Sequence, residues 1–309
     1  MQHGFKHKKI VWPTIAFVIL AMATAALLPI PSLTHSSAFG QSNAPMQNEN
    51  NALNNNTISY SFNISDNRSA TNNSDQTLQK KPVNYFNNSI GYLAYPLSAN
   101  NTQKQLPAVV MIHEWWGLNE PIKKQADMLA KEGYVVLAVD IYGKGQVASD
   151  PKRAMELSSS VRNNPAFAIS NLQAAIKYLK SLDMVNGSRI ASLGWCFGGD
   201  WSLRLATNST KEDPLAATVL YYGRPITDSS ALSNIHWPVL GIFGDKDQSI
   251  PVQSVKEFAS ALNSSEITNQ IYIYRGVGHA FANPSGGNYA PSETIDAWHK
   301  TIAFLKEHL

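Results

Sequence analysis

Cysteine is almost absent from this sequence of 309 residues, in which Cys196 is the only one. No intrachain disulfide and no metal site built from several cysteines can therefore form. Charge is also scarce, since Asp, Glu, Lys and Arg make up 15% of the residues. The 25 Lys and Arg exceed the 22 Asp and Glu by three, and Lys6, Lys8 and Lys9 account for that excess. The rest of the chain is formally neutral and has no basic run, which argues against a nucleic-acid-binding protein.

Common cofactor and metal motifs are missing or incomplete. The sequence has no P-loop. His113 and Glu114 begin an H-E-x-x-H zinc motif, but Gly117 stands where the second histidine would be. A Gly-x-Gly stretch at 143–145 follows a predicted strand, yet the Ser-Asp-Pro sequence at 149–151 interrupts the helix that a dinucleotide site requires. We therefore expect no metal and no cofactor.

The N-terminus has the pattern of a targeting segment. Three lysines precede an apolar run at 10–30, and small residues follow at 36–38. This order is typical of an export signal. The run is also long enough to cross a bilayer as an uncleaved anchor. Both alternatives for 1–38 predict an exported, extracellular or cell-surface protein, and the second predicts a membrane tether through 10–30.

Residues 39–82 differ in composition from the rest of the chain. They are rich in Asn, Ser, Thr and Gln and hold few large apolar side chains. Such a segment cannot bury enough apolar surface to offset its ordering entropy, so we expect a disordered spacer. Its Asn-X-Ser/Thr sequences are potential glycosylation sites in an exported chain, or chance matches in an Asn-rich segment.

Residues 83–309 alternate between patterns typical of strands and of helices, and no internal repeat is found. This alternation predicts one α/β domain with a mostly parallel sheet and helices on both faces. Ligands bind such sheets at the carboxyl ends of the strands. The predicted strands are 108–112, 134–139, 190–193, 216–222, 238–243 and 270–274, and the predicted helices are 122–131, 169–182, 199–207, 252–262 and 292–308.

The sequence Gly-Trp-Cys-Phe-Gly-Gly at 194–199 lies between a predicted strand and a predicted helix. It has the nucleophile-elbow pattern of an α/β-hydrolase, with Cys196 in place of serine. The turn is so sharp that Cβ atoms at the glycine positions would contact neighbouring backbone. A helix N-terminus then favours a thiolate and an oxyanion. The alternative for a single cysteine is a buried structural role.

A cysteine nucleophile needs a base, and the base needs an orienting carboxylate. The chain order in this fold is nucleophile, acid, histidine. Asp247 follows the strand at 238–243 and is the predicted acid, with Asp245 as the alternative. His279 follows the strand at 270–274 and is the predicted base. The alternative for these residues is a turn or structural role.

These motifs resemble those of the dienelactone hydrolase family of α/β-hydrolases, over about residues 90–309. The resemblance implies an α/β-hydrolase fold and a triad of Cys196, His279 and Asp247. It also implies that Glu114 lies beside the nucleophile, where it holds or helps to deprotonate the thiol. The family's oxyanion hole maps to the backbone N–H groups of Phe197 and Trp115. The motifs are the elbow at 194–199, Gly-x-x-Asp-x-x-Ile-Pro at 244–251, Gly-His-Ala-Phe at 278–281 and His-Glu-Trp-Trp-Gly at 113–117.

One departure from the family pattern concerns substrate binding. Enzymes that cleave dienelactone have an arginine shortly after the histidine, and the matching residue here is Asn283. A neutral amide cannot form a bidentate ion pair with a carboxylate. Arg153 is the candidate for the family's second arginine, with Lys152 equally near in sequence. Trp116 and Tyr142 are further candidates for an aromatic substrate pocket.

Two functions are compatible with these patterns. The first is an exported carboxylic-ester hydrolase that cleaves lactones or simple esters through an acyl-enzyme. The second is a non-catalytic extracellular ligand-binding protein on a hydrolase scaffold, because fold alone does not determine function. The complete set of nucleophile, acid and base favours the enzyme.

Overall fold

The computed structural model describes residues 77–101, 104–210 and 213–309. The predicted signal or anchor at 1–38 and the predicted spacer up to residue 76 lie outside these ranges. No helix within the described ranges has the length and apolar character needed to span a membrane.

The described chain contains eight strands and seven α-helices, with a short 3-10 helix at Leu97–Asn101. The strands are β1 Leu78–Phe86, β2 Ser89–Pro96, β3 Leu106–Ile112, β4 Val135–Val139, β5 Val185–Trp195, β6 Ala217–Tyr221, β7 Val239–Gly244 and β8 Asn269–Tyr274. The helices are α1 Glu120–Lys131, α2 Pro151–Arg162, α3 Pro165–Lys180, α4 Phe197–Thr207, α5 Ser229–Leu232, α6 Val252–Ser264 and α7 Pro291–His308.

One sheet contains all eight of these strands, in the order β1-β2-β4-β3-β5-β6-β7-β8. The pairs β1–β2 and β2–β4 are antiparallel, and every other pair is parallel. The predicted mostly parallel α/β architecture is therefore confirmed. Because β3 and β5 are neighbours with Ile112 opposite Gly194, the loops that follow them meet at the same edge of the sheet.

The central strands are buried on both faces, which explains their continuous apolar sequences. Along β3, Val110 and Ile112 pack into one apolar core, while Val109 and Met111 pack into another on the opposite face. Residues of α3, α4 and α6 fill the first core, and residues of α1 and α7 fill the second. Helices thus cover both faces of the sheet, as predicted.

Four elements were not predicted from the sequence, namely β1, β2, α2 and the four-residue α5. β1 begins at Leu78, so the last residues of the predicted spacer at 39–82 belong to the sheet. Val83 is the one buried residue of this edge strand, which leaves little apolar pattern to detect. The Asp-Pro pair at 150–151 starts α2 instead of interrupting a helix. The Asp150 carboxylate caps it by accepting the Arg153 N–H at 2.9 Å, and Pro151 lies in the first turn, where proline is tolerated.

Candidate active site

Cys196 lies in a sharp turn between β5 and α4, with φ of 54° and ψ of −117°. The surrounding glycines allow backbone to pack against backbone at this point. A Cβ on Gly194 would lie 2.1 Å from the Gly198 carbonyl oxygen, and one on Gly198 would lie 2.2 Å from that of Ile112. Any side chain at these positions would displace the turn. The elbow geometry that the sequence predicts is therefore present.

The structure brings together the three residues predicted to act as nucleophile, base and acid. Nε2 of His279 lies 3.1 Å from Sγ of Cys196, and Nδ1 of His279 lies 2.7 Å from Oδ2 of Asp247. The Asp247 carboxylate is further fixed by the N–H groups of Ser249 and Ile250, which donate to Oδ1 at 2.7 and 2.9 Å. Each of the three side chains follows a different parallel strand.

Asp245, the alternative acid, faces another way. Its Oδ1 accepts a hydrogen bond from the Gly276 N–H at 2.7 Å, which ties the loop after β7 to the loop after β8. The carboxylate that reaches His279 is that of Asp247.

The environment of His279 favours its protonated form. Burial alone would lower the pKa of this imidazole. The hydrogen bonds and negative charges of Asp247 and Cys196 outweigh burial and raise the pKa to about 10. A protonated imidazole next to Cys196 is the arrangement in which a neighbouring histidine activates a cysteine nucleophile.

Two backbone donors predicted for an oxyanion hole lie at the ends of adjacent strands. Phe197 is the first residue of α4, so its N–H has no partner within the helix and lies at the positive end of the helix dipole. Trp115 follows β3, and its carbonyl oxygen accepts the Tyr142 hydroxyl at 2.8 Å. This hydrogen bond fixes the loop after β3 against the loop after β4.

Glu114 is buried, with an exposed fraction of 7%. Its Oε2 accepts a hydrogen bond from Nδ2 of Asn283 at 2.5 Å. Burial raises the pKa of this carboxyl to about 7, although the charge of His279, the hydrogen bond from Asn283 and the nearby Tyr222 hydroxyl partly oppose the increase. A carboxyl with this pKa changes its protonation state near neutral pH.

His113 supports the same loop through a backbone contact and a ring contact. Its Nδ1 lies 2.5 Å from the Glu114 carbonyl oxygen, and its ring meets the Tyr142 ring edge-on at a centroid distance of 4.7 Å. Complete burial lowers the pKa of His113 to about 4, so the ring is neutral at physiological pH. Among the described residues, no group of three or more His, Cys, Asp or Glu side chains is arranged to hold a metal ion.

The residues predicted to bind substrate occupy different surroundings. Trp116 and Tyr142 pack beside buried side chains of α2 and of the loop before it, and form an apolar wall with Trp115. Asn283 contacts Glu114, as described above. The Arg153 guanidinium instead contacts Gln146 at 2.8 Å and Glu156 at 3.1 Å.

Two residues at the site have roles that the sequence did not indicate. The Arg162 guanidinium carbon lies 5.3 Å from the centre of the Phe197 ring. It was missed because α2 itself was not predicted. The Tyr222 ring meets the His279 ring edge-on at 5.2 Å, although the sequence indicated only a general aromatic pocket there. Its positive φ of 37°, just after β6, turns it toward the site.

The sequence model of the dienelactone hydrolase family matches residues 91–309, and the chain belongs to this family. "Protein usf" of Aquifex pyrophilus is 32% identical over 224 residues, which cover 71% of this chain and 93% of that protein. A "putative carboxymethylenebutenolidase" of Aquifex aeolicus is 30% identical over 224 residues, with the same shares of the two chains covered.

The chain is accordingly a hydrolase that acts on carboxylic ester bonds.

Solved structures show the same fold. A crystal structure of a putative dienelactone hydrolase from Klebsiella pneumoniae has a TM-score of 0.65 and 24% identity, and the match covers 74% of this chain and 98% of that one. The dienelactone hydrolase of Anabaena variabilis has a TM-score of 0.56 and 19% identity, over 75% and 99% of the two chains. The predicted α/β-hydrolase fold is confirmed.

Proposed function

We propose that this chain is an exported carboxylic-ester hydrolase that cleaves lactones or simple esters through a Cys196–His279–Asp247 triad. The observation that carries the proposal is the distance of 3.1 Å between Sγ of Cys196 and Nε2 of His279. This contact allows the imidazole to take the thiol proton and later to give it to the leaving group.

In the acylation step, Sγ of Cys196 attacks the ester carbonyl carbon and a tetrahedral oxyanion forms. The N–H groups of Phe197 and Trp115 stabilise this oxyanion. The C–O bond then breaks, and the imidazolium of His279 donates its proton to the departing alkoxide. A thioester remains on Cys196, and in a lactone the released alcohol stays attached to the acyl chain.

In the deacylation step, neutral His279 removes a proton from water, and the resulting hydroxide attacks the thioester. The C–S bond breaks and releases the carboxylic acid and the Cys196 thiolate beside protonated His279. Asp247 holds the imidazole in the tautomer that both steps require. Glu114, buried and close to His279, modulates the proton balance of the pair.

The surroundings of the thiol support a substrate with apolar or aromatic groups. Trp115, Trp116 and Tyr142 pack with buried side chains of α2 and supply flat apolar surface. Asn283 carries an uncharged amide, which donates to Glu114. This position therefore supplies no positive charge that could pair with a substrate carboxylate. Neutral esters and lactones are therefore part of the proposal, alongside substrates that carry a carboxylate.

Export is proposed from the sequence of residues 1–38, with the run at 10–30 as a cleaved signal or as a membrane tether. N-terminal sequencing of the mature protein, together with fractionation of cells, separates these alternatives. A start near residue 39 in the external fraction indicates cleavage, and an intact N-terminus in the membrane fraction indicates a tether. An intact chain in the cytoplasm contradicts export.

The experiment that tests the activity is hydrolysis of a small chromogenic ester and of dienelactone by the full chain. The Cys196→Ala variant is assayed beside it, after circular dichroism has shown that both proteins are folded. We expect turnover of at least one substrate by the wild type and a loss of about a thousandfold or more in the variant. Equal rates for the two proteins contradict Cys196 as nucleophile.

A further inference from the structure

Glu114 and Asn283 form a buried polar contact next to the proposed nucleophile and base. Nδ2 of Asn283 donates to Oε2 of Glu114, and Oδ1 of Asn283 accepts the Ser285 N–H at 2.9 Å. The second bond fixes the orientation of the amide, so that the NH₂ group faces the carboxyl. The orientation of the Asn283 amide is therefore fixed by its own loop as well as by Glu114.

The other oxygen of the same carboxyl has different surroundings. Oε1 of Glu114 and the hydroxyl of Tyr222 are both buried without a hydrogen bond of normal geometry to any described residue. The two groups are close enough for the Tyr222 hydroxyl to lower the pKa of Glu114. Tyr222 in turn packs edge-on against the His279 ring, and its pKa is raised in part by charge on the nearby Cys196. Tyr222 is thus close both to the Glu114 carboxyl and to the His279 ring.

We propose that Asn283 is a positioning residue that acts through Glu114. Its amide orients the buried carboxyl, with the Tyr222 hydroxyl nearby, so that the protonation of Glu114 is coupled to the reactivity of the Cys196 thiol. This inference rests on the proposed function, because it concerns the same nucleophile. It assigns Asn283 to the proton balance of the site, whereas the sequence suggested contact with substrate.

The physical basis of the coupling is reciprocal. The positive charge of His279 lowers the pKa of Glu114, so an ionised Glu114 must strengthen the hold of His279 on its proton. The amide of Asn283 stabilises the ionised carboxylate by donating a hydrogen bond. Asn283 therefore influences the pH at which Glu114 ionises and places a negative charge near the Cys196–His279 pair.

Other titratable groups around the carboxyl do not change their charge near neutral pH. His113, on the adjacent position of the same loop, has a pKa lowered to about 4 by burial and stays neutral. Burial, together with Glu114 and Cys196, raises the pKa of Tyr222 well above its usual value, so its hydroxyl stays protonated. The groups that remain are Glu114 and the Cys196–His279 pair.

The single cysteine makes a direct test available, because alkylation by iodoacetamide reports only on Cys196. The rate of alkylation of the full chain is measured across the pH range. We expect the wild-type profile to contain an inflection near the pKa of Glu114, which is raised to about 7. Glu114→Gln should lack this inflection, because its amide does not ionise.

Two substitutions at Asn283 should move that inflection in opposite directions. Asn283→Ala removes the donor and should move the inflection up by about one pH unit. Asn283→Arg adds a positive charge and should move it down by about the same amount or more. Asn186→Ala is the matched control, since Asn186 lies on β5 and its side chain accepts hydrogen bonds from Ser188, in the same strand. It should leave the profile unchanged.

The same substitutions in the Glu114→Gln background show whether Asn283 acts through Glu114. We expect Asn283→Ala to have no further effect there, because the carboxyl is absent. An effect that persists overturns the proposal, and so does a wild-type profile without the inflection or an inflection that neither Asn283 variant moves. If Asn283→Ala does not fold, Tyr222→Phe provides an equivalent test, because it removes the other hydroxyl or amide group that lowers the pKa of Glu114, and it should also move the inflection up.

The assay separates this proposal from the proposed function. Alkylation measures the thiol directly and requires no ester turnover. If the alkylation rate of Cys196 depends on Glu114 but the protein has no esterase activity, only the proposed function is contradicted. An active esterase with an uncoupled thiol would contradict the present inference alone.

Discussion

The Arg162 guanidinium lies over the ring of Phe197, with 5.3 Å between the guanidinium carbon and the ring centre. Phe197 is also the residue whose N–H is proposed to stabilise the oxyanion. The Arg162 side chain is 45% exposed, so its charge is accessible to a ligand at the mouth of the site. Its polar contacts are long, at 3.4 Å from Nη1 to Oγ of Ser158 and 3.7 Å from Nη2 to Oδ2 of Asp200.

The first prediction concerns substrate charge. Arg162→Met should raise KM about tenfold for an ester with a free carboxylate and leave KM for a neutral ester of similar size almost unchanged, because only the first substrate can pair with the guanidinium. Arg153→Met provides the comparison, since its guanidinium contacts Glu156 and Gln146. Steady-state kinetics with the two esters checks this. A larger effect of Arg153→Met on KM for the carboxylated ester would show that Arg153, in the first turn of α2, binds the substrate carboxylate instead of Arg162.

The second prediction distinguishes the two aspartates of the loop after β7. Asp247→Asn should reduce kcat by a factor of about a hundred to ten thousand, because an amide does not stabilise the imidazolium of His279. Asp245→Asn should retain most of the activity, since its carboxylate contacts the Gly276 N–H and not the histidine. The measurement is kcat at neutral pH, with thermal unfolding to show that both variants are folded. Similar losses in both variants would contradict the assignment.

The third prediction concerns stability and pH. Burial raises the pKa of Glu114 from 4.5 to about 7. In the pH window between these two values, the folded chain keeps a proton on Glu114 that the unfolded chain has released. Stability must therefore fall as pH rises through the window. Glu114→Gln lacks this loss, and between about pH 4 and pH 8 it should gain about 3 kcal/mol relative to the wild type.

Urea unfolding of both proteins at the two ends of the window measures this gain. The raised pKa of His279 also reduces stability as pH increases in both proteins, so it enters the comparison only through its coupling to Glu114. A constant difference between wild type and variant across the window would show that Glu114 ionises with an ordinary pKa.

The sequence predicts the parallel part of the fold well for a physical reason. Strands buried on both faces require continuous apolar runs, and all five residues of β4 are fully buried. In the edge strand β1 only Val83 is buried, so the pattern of this strand is too weak to recognise. The helix α2 was missed because the Asp150-Pro151 pair was interpreted as a break, whereas it is a cap followed by a first-turn proline.

Within the site, the sequence predicts the residues that follow strands and that have a defined chemical type. Cys196, Asp247 and His279 satisfy both conditions, and the fold brings them into contact. The contact between Asn283 and Glu114 joins residues 169 positions apart, and neither the amide nor its loop carries a pattern that indicates its partner. Such a contact depends on how two loops pack, which a single sequence does not specify.

The close approach at Gly198 has a mechanical consequence. The nucleophile turn and the end of β3 touch backbone to backbone, since a Cβ on Gly198 would lie within 2.2 Å of the Ile112 carbonyl oxygen. No flexible side chain lies between them to absorb a displacement. A shift of the β3 end must therefore move the thiol with it, and the attacking atom and the Trp115 loop share one rigid frame. That frame is assembled during folding, so little reorganisation is left for the moment when substrate arrives.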